Sequence, residues 1–454
     1  MLNPVRISVI LGSIVLGLGA YIIFIDIPQT RQIERQVTRD KQILPFDDRA
    51  VTRLTWVSKR ETIELTRDDR FRWSIVHPIS SPADNQEIRR LLRALTIGKI
   101  KRTIEGEDGT PLNLSTYGLD PPYLTLTLAT PSESVAFALG DPGPFAPSLY
   151  VQTKSDNQVV LTTLDVMSFA QKTLTDFRLK DLLLFDRERV QEIRIQNKHG
   201  EMVLQRVAGV HSLTPNWMFL NPTPRPADKT TITTLLMELS ALRATGFVDL
   251  EPEKHAIRQQ RAKSHAGITL TEGSLLHHLD IFQFDDPEKA VAVKTPKDPL
   301  FEIPANILGL LGRDPFYFQD KRLFGLEAAD IAMLSVQTPK EHYVLIHQHD
   351  EWILEDNPSI SLDQNVLNLF ISRVADLPAE ISLPGTDDGK TRIQAPTVII
   401  RGVNRQGQEQ GKLVLGKREK GLVFAEGAAL KGLYQVRSAF LDQLPSKTSL
   451  GQER

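Results

Sequence analysis

Alternating apolar and polar positions mark the start of this chain's polar part, and the pattern returns twice more. Residues 51–57, 62–66 and 71–76 alternate over runs of strand length, as half-buried strands do. Asp68-Asp69-Arg70 is a polar turn between the second and third runs. The same opening recurs at 190–196, 201–207 and 217–220, and again at 331–337, 342–347 and 352–354. Each meander meets a proline (Pro78, Pro222 or Pro358), which has no N–H for a sheet ladder. An aspartate follows in helix N-cap position: Asp84, Asp228 or Asp363. Glu87, three residues beyond Asp84, adds a capping-box pattern. Helical periodicity then predicts buried stripes of Ile88, Leu91, Leu92 and Leu95, and of Ile232, Leu235, Leu236 and Leu239. The third stripe is looser: Val366, Leu369, Phe370 and Val374. Further alternating runs around Leu124–Leu128, 135–139, 268–270, 281–284, 399 and 413–415 predict more strands after each helix.

The repeated phrase has a domain-length period. Trp73, Trp217 and Trp352 stand 144 and 135 residues apart, far beyond the spacing of solenoid or propeller repeats. We therefore expect an α+β fold with three tandem copies of an antiparallel sheet packed against one main helix. The expected divisions are an anchor at 1–28, a linker at 29–48, modules at 49–186, 187–326 and 327–446, and a disordered tail at 447–454. The related phrases at 177–185 and 318–324 read as junctions between modules.

Ahead of the first module, residues 7–25 are uncharged and overwhelmingly apolar. Nineteen helical residues would reach roughly 28 Å, the thickness of a bilayer's hydrocarbon layer. A cleaved signal peptide is the rival, but its apolar region is shorter and ends at a small-x-small site, whereas here Leu18 precedes Ala20 at the critical spacing. The expectation is one uncleaved span. The flanking charges conflict over its orientation: Arg6 lies before the run, and Arg31, Arg35, Arg39 and Lys41 lie after it. We favour a cytoplasmic N-terminus with the bulk of the chain extracytoplasmic, at the inner membrane. Ser8/Gly12 and Ser13/Gly17 carry small-xxx-small spacing that lets another helix approach.

Composition changes this picture little. A net charge of −2 leaves no electrostatic footprint for nucleic acid. The absence of cysteine removes disulfides, thiolate chemistry and Cys-ligated metals. No nucleophile elbow, His-Glu-x-x-His, P-loop or dinucleotide fingerprint is present, so the expectation is no enzyme, no catalytic residues, no cofactor and no metal. The segment from Gly407 to Lys412 has the wrong spacing for a P-loop and reads as a hairpin turn. His347 and His349, with His342 nearby, are the one pattern open to a metal; adjacent His277 and His278 would point to opposite strand faces. The three Trp rings read as packing for the following helix rather than as ligand-stacking groups. Tyr117-Gly118-Leu119-Asp120-Pro121 reads as a rigid turn, with a partner contact as the alternative.

Trp73, Pro78, Ala83-Asp84, the amphipathic helix, Tyr117-Gly118-Leu119-Asp120-Pro121, Leu139-Gly140 and Phe177-Arg178 with Leu182 give the chain a resemblance. It resembles a bacterial family of membrane-anchored proteins known only as a domain of unknown function, with repeated α+β modules. The likeness covers most of residues 50–330; the third module departs from it, with Leu362 in place of Ala and no Tyr-Gly-Leu-x-x-Pro. The resemblance implies association with ABC-type export systems of the gliding-motility kind, beside a permease and an extracytoplasmic partner. The leading expectation is thus a non-enzymatic scaffold or auxiliary component of an ABC-type transport or envelope complex. A binding module holding a saccharide, lipid or peptide in a cleft near 177–186 or 318–325 is the alternative, and an unfamiliar envelope hydrolase the third.

Overall fold

A computed structural model describes residues 42–44, 46–105, 111–153, 158–164, 171–207, 216–249, 265–283, 288–295, 299–383 and 393–450. The expected membrane span at 7–25 and most of the linker lie outside the described residues. No helix among the described residues is long and apolar enough to cross a membrane. The chain divides into two compact units, Met1–Asp181 and Leu182–Arg454.

The first unit holds one antiparallel sheet. Its opening meander is Arg53–Ser58 (β1), Thr62–Arg67 (β2), Trp73–His77 (β3) and Ser81–Pro82 (β4). Helix Asn85–Ile97 (α1) leads to Ile100–Ile104 (β5). The return meander is Leu124–Ala129 (β6), Ser134–Pro142 (β7), Leu149–Thr153 (β8) and Val159–Thr162 (β9), followed by a short helix, Leu174–Phe177 (α2). The strand order is β4-β3-β2-β1-β6-β7-β8-β9-β5, so α1 joins the two edges. Nine strands would span roughly 38 Å if laid flat, while α1 is about 20 Å long; the sheet must therefore curl around the helix. Ile88, Leu91, Leu92 and Leu95 of α1 are buried against Leu54, Trp56, Leu126 and Leu128 in one core.

The second unit repeats this topology twice. Val190–Asn197 (β10), Gly200–Val207 (β11), Asn216–Asn221 (β12) and Arg225–Pro226 (β13) precede helix Lys229–Ala241 (α3) and Gly246–Val248 (β14). Ala266–Glu272 (β15), Leu275–Gln283 (β16), Lys289–Val293 (β17) and Leu300–Pro304 (β18) return, with Asn306–Leu311 (α4) and Pro315–Phe318 (α5) closing. The order, β13-β12-β11-β10-β15-β16-β17-β18-β14, matches the first sheet position by position. The third copy comprises Ile331–Gln337 (β19), His342–Gln348 (β20), Glu351–Leu354 (β21), Gln364–Ala375 (α6) and Ile381–Leu383 (β22). Val398–Asn404 (β23), Glu409–Glu419 (β24), Leu422–Gly427 (β25), Leu433–Arg437 (β26) and Ala439–Asp442 (α7) complete it. Its order, β21-β20-β19-β23-β24-β25-β26-β22, lacks only the two-residue fourth strand.

Two recurring contacts define where a copy begins and ends. Each copy opens with an apolar pair sunk into its own core ahead of the first strand: Ile43-Leu44, Leu182-Leu183 and Leu323-Phe324. Each closes by returning to the cap of its main helix. The Asp84 N–H donates to the Phe177 carbonyl at 2.8 Å, Asp228 to Phe318 at 2.8 Å, and Asp363 to Leu450 at 3.4 Å. The phrases expected as junctions therefore have two halves, the first completing one copy and the second starting the next.

Four expectations need correction. Ile43 and Leu44, placed in the linker, are buried core, because apolar side chains gain more in the module than in water. Residues 447–450, placed in the disordered tail, are ordered: Leu450 is buried, and the Lys447 N–H donates to Glu341 Oε2 at 2.9 Å. The stripe of α6 runs through Leu367, Phe370, Ile371 and Val374, leaving Val366 and Leu369 46% and 52% exposed. The capping box at Asp84 is half made. Asp84 accepts from the Gln86 and Glu87 N–H groups, but its own N–H is taken by Phe177, and the Glu87 carboxylate pairs with Arg90 and Lys172 instead.

Candidate functional site

The repeated residues build one local device three times. Trp73, Trp217 and Trp352 are buried on β3, β12 and β21, the strands that lead into the main helix. In the first and third copies the first helical residue ties that strand down: the Trp73 N–H donates to Asn85 Oδ1 at 2.9 Å, and the Trp352 N–H to Gln364 Oε1 at 2.8 Å. Directly across the ladder stand Arg67, Arg206 and His347. The Arg67 and Arg206 guanidinium groups lie 5.8 and 5.2 Å from their Trp ring centroids, and the His347 ring 4.8 Å from that of Trp352. Asp84, Asp228 and Asp363 cap the helices with their carboxylates. Pro78, Pro222 and Pro358 are exposed, the first two after cis peptide bonds.

The third copy solves the missing fourth strand with a side chain. In the first two, the Ala83 and Ala227 N–H groups donate to the Trp73 and Trp217 carbonyls at 3.1 and 2.8 Å. In the third, Gln364 Nε2 donates to the Trp352 carbonyl at 2.9 Å while its Oε1 takes the Trp352 N–H. One amide thus replaces the edge pairing that the Pro-Ala-Asp phrase supplies elsewhere.

Tyr117, Gly118, Leu119 and Pro121 form a docked turn. Leu119 is buried on the sheet face opposite α1, with Ala138 and Val159, and the Tyr117 and Tyr150 ring centroids lie 4.9 Å apart. Gly118 adopts φ +66°, where a side chain is strained, and a Cβ on Gly140 would lie 2.2 Å from the Tyr117 carbonyl oxygen. Pro121 is exposed, after a cis bond. The glycines are there for close backbone packing.

Within the second unit a cavity of about 240 Å³ lies at the end of the 318–325 phrase. Pro226, Arg322, Leu326, Ala375 and Leu430 are among its walls. Its one guanidinium is already engaged: Arg322 binds Asp320 at 2.7 Å and reaches Glu327 at 3.5 Å and Asp376 at 3.9 Å. Hydrogen bonding to Asp320 raises the Arg322 pKa further above its ordinary value. A shallower groove of about 520 Å³ runs beside α3, between Glu238, Arg243 and Leu310. The first space is smaller than the 300–1,000 Å³ typical of drug-sized ligand sites. The other expected position, 177–186, is occupied by Phe177 in the first unit's core and Leu182-Leu183 in the second unit's core.

The histidines disperse. His342 contacts Ser335, His347 lies against Trp352, and His349 sits in a turn at φ +50°. His277 pairs with Glu272 and His278 with Asp280. Among the described residues, no three His, Asp or Glu side chains gather as a metal ion requires.

Residues 73–262 match a family described as a domain of unknown function, DUF4340. That match runs from Trp73 on β3 past the second copy's Trp217 and α3. No curated protein matches the chain. Among solved structures, DNA polymerase III subunit beta from Borrelia burgdorferi aligns at 8% identity over 90% of this chain and 96% of that one, with a TM-score of 0.13. Two structures of the DNA polymerase sliding clamp from Pseudomonas aeruginosa align at 8% and 10% identity over 88% of this chain and 94% of theirs, also with TM-scores of 0.13. Likeness at that level carries no argument about fold or function.

Proposed function

We propose that this protein is a non-enzymatic, single-span membrane protein whose repeated modules lie outside the cytoplasm. In this reading it is a scaffold or auxiliary component of an ABC-type transport or cell-envelope complex of the gliding-motility kind. The observation that carries the reading is a contrast among the three main helices. Their buried sides and caps keep one pattern, while their outward sides have diverged. Helix α1 presents Arg89, Arg90 and Arg93; α3 presents Thr230, Thr233 and Met237; α6 presents Asn365, Val366 and Leu369. One retained frame with three different outer faces suits a component that meets several neighbours. The apolar run at 7–25 supplies the tether. In mild detergent extracts, the full chain should elute with a permease or ATPase subunit at constant ratio through successive columns. Elution of the chain alone in every detergent would overturn the reading.

The cavity beside Arg322 favours a second reading, in which a small ligand binds between the second and third copies. Two carboxylates, Asp320 and Glu327, against the one guanidinium of Arg322 leave the wall net acidic, so the ligand would be a small amine. A thermal shift with small amines that disappears in Leu430→Trp would support it.

A further inference from the structure

We propose that the outer side of α1 and the start of β5 form a face that docks on anionic phospholipid headgroups of the membrane holding the chain. The inference rests on the tether reading and adds a lipid partner and a surface to it.

The first observation is charge. Residues 85–104, from the start of α1 to the end of β5, carry six basic side chains and one acidic one. The equivalent stretch in the second copy, 229–248, carries two basic and one acidic; in the third, 364–383, one basic and two acidic. The excess is therefore a property of the first copy and not of the fold. Arg89, Arg90, Arg93, Lys99 and Lys101 are all exposed. The one acid, Glu87, is already shared by Arg90 and Lys172. Arg89 and Arg93 stand one helical turn apart, and Arg93 is a turn before Ile97, which is 64% exposed. A basic helix face with an exposed apolar residue at its end matches the headgroup layer of a bilayer.

The second observation is where the chain arrives. Gln42 forms an antiparallel bridge with Lys99, in the turn between α1 and β5. Ile43 then enters the core, and a Cβ on Gly98 would lie 2.9 Å from its Cδ1. The sixteen residues 26–41 between the apolar run and this bridge reach at most about 55 Å. The backbone coming from the tether thus meets the module at Lys99, one of the residues of this basic stretch. A tether attached there enters the first copy through that face and brings the bilayer within its reach.

The chain has no cysteine, so Ile97→Cys places a single label where α1 ends, next to Lys99 and Lys101 in sequence. The labelled full chain is reconstituted in phosphatidylcholine vesicles, with and without an equal part of phosphatidylglycerol, each carrying a headgroup quencher. Flotation with the neutral vesicles tests the tether alone. Quenching should be several-fold stronger in the anionic vesicles and fall at high ionic strength. It should also fall in the Arg89→Glu, Arg93→Glu and Lys101→Glu triple variant, whose thermal transition should match the parent's. Each basic side chain at an anionic surface is worth roughly fivefold in the docked ratio. A chain that floats with both vesicles but shows equal quenching in both would overturn the face and leave the tether standing. A chain that floats only with anionic vesicles would overturn the tether and keep the face. Flotation with neither would remove both.

Discussion

At the residue scale, the repeated positions matter through burial and backbone pairing. Trp73, Trp217 and Trp352 are each buried in the same core as the apolar side of their main helix. Truncation of Trp73 or Trp352 to Ala should cost about 3–5 kcal/mol, read by denaturant unfolding of the unit that contains it. Asp84→Ala, which loses acceptance from two helix N–H groups, should cost about 1 kcal/mol in the same measurement. Tyr343 gives a pH handle. Burial first, and the Glu341 carboxylate second, push its pKa well above the ordinary tyrosine value, while its hydroxyl donates to the Pro445 carbonyl at 2.7 Å. The folded state therefore holds this proton more tightly than the unfolded state. Its contribution is complete below the ordinary tyrosine pKa of about 10 and is lost as pH rises beyond it. The second unit's melting temperature should fall above that pH, and Tyr343→Phe should flatten the fall.

The Trp and Asp positions are legible in the sequence because strand alternation and a helix cap follow one another in fixed order. Proline directly ends the strand only at Pro78 and Pro222, since β21 already stops at Leu354, four residues before Pro358. The phase of α6 is not legible. Val366, Leu369, Phe370 and Val374 have helical spacing, but so do Leu367, Phe370, Ile371 and Val374. When both sides of a helix carry apolar residues, periodicity alone leaves the buried side open. Ile43-Leu44 is not legible for a simpler reason: two apolar residues are too few to mark an element.

At the scale of elements, each copy is a sheet curled around a helix that joins its two edges, with an opener and a closer added. The third copy shows how tightly these fit. A Cβ on either Gly402 or Gly411, which face each other across β23 and β24, would lie 2.6 Å from the Phe324 ring. A Cβ on Gly427 would lie 2.1 Å from the Leu323 carbonyl oxygen. Three glycines thus form the slot that receives the opening pair. Gly411→Ala should destabilise the second unit by about 1–3 kcal/mol through overpacking, measured by thermal unfolding. Phe324→Leu combined with it should recover part of that loss. Ending the chain after Leu444 removes Leu450 from the core and the Lys447 contacts with Glu341 and Asp356. The shortened protein should lose protection from hydrogen exchange in β20 and α6 first, since Tyr343 lies in β20, Glu341 immediately precedes it and Asp363 caps α6.

At the scale of the molecule, the domain-length period read from three tryptophans corresponds to three sheets with one strand order. The sequence did not reveal that a junction phrase is a closer and an opener in succession, because both halves are apolar and only their hydrogen-bond partners differ. The lower unit of organisation is the copy, and the larger one the compact unit. Residues 182–454 contain two complete cores, and expressed alone they should unfold cooperatively. In the proposed reading, a single front segment holds this repeated frame at a membrane. That reading is tested most directly by comparing the full chain with one that starts at Gln42, each in fractionated cells washed with concentrated salt. The full chain should stay with the membranes, and the shortened chain should be released by the wash. Equal partitioning of the two would contradict the reading.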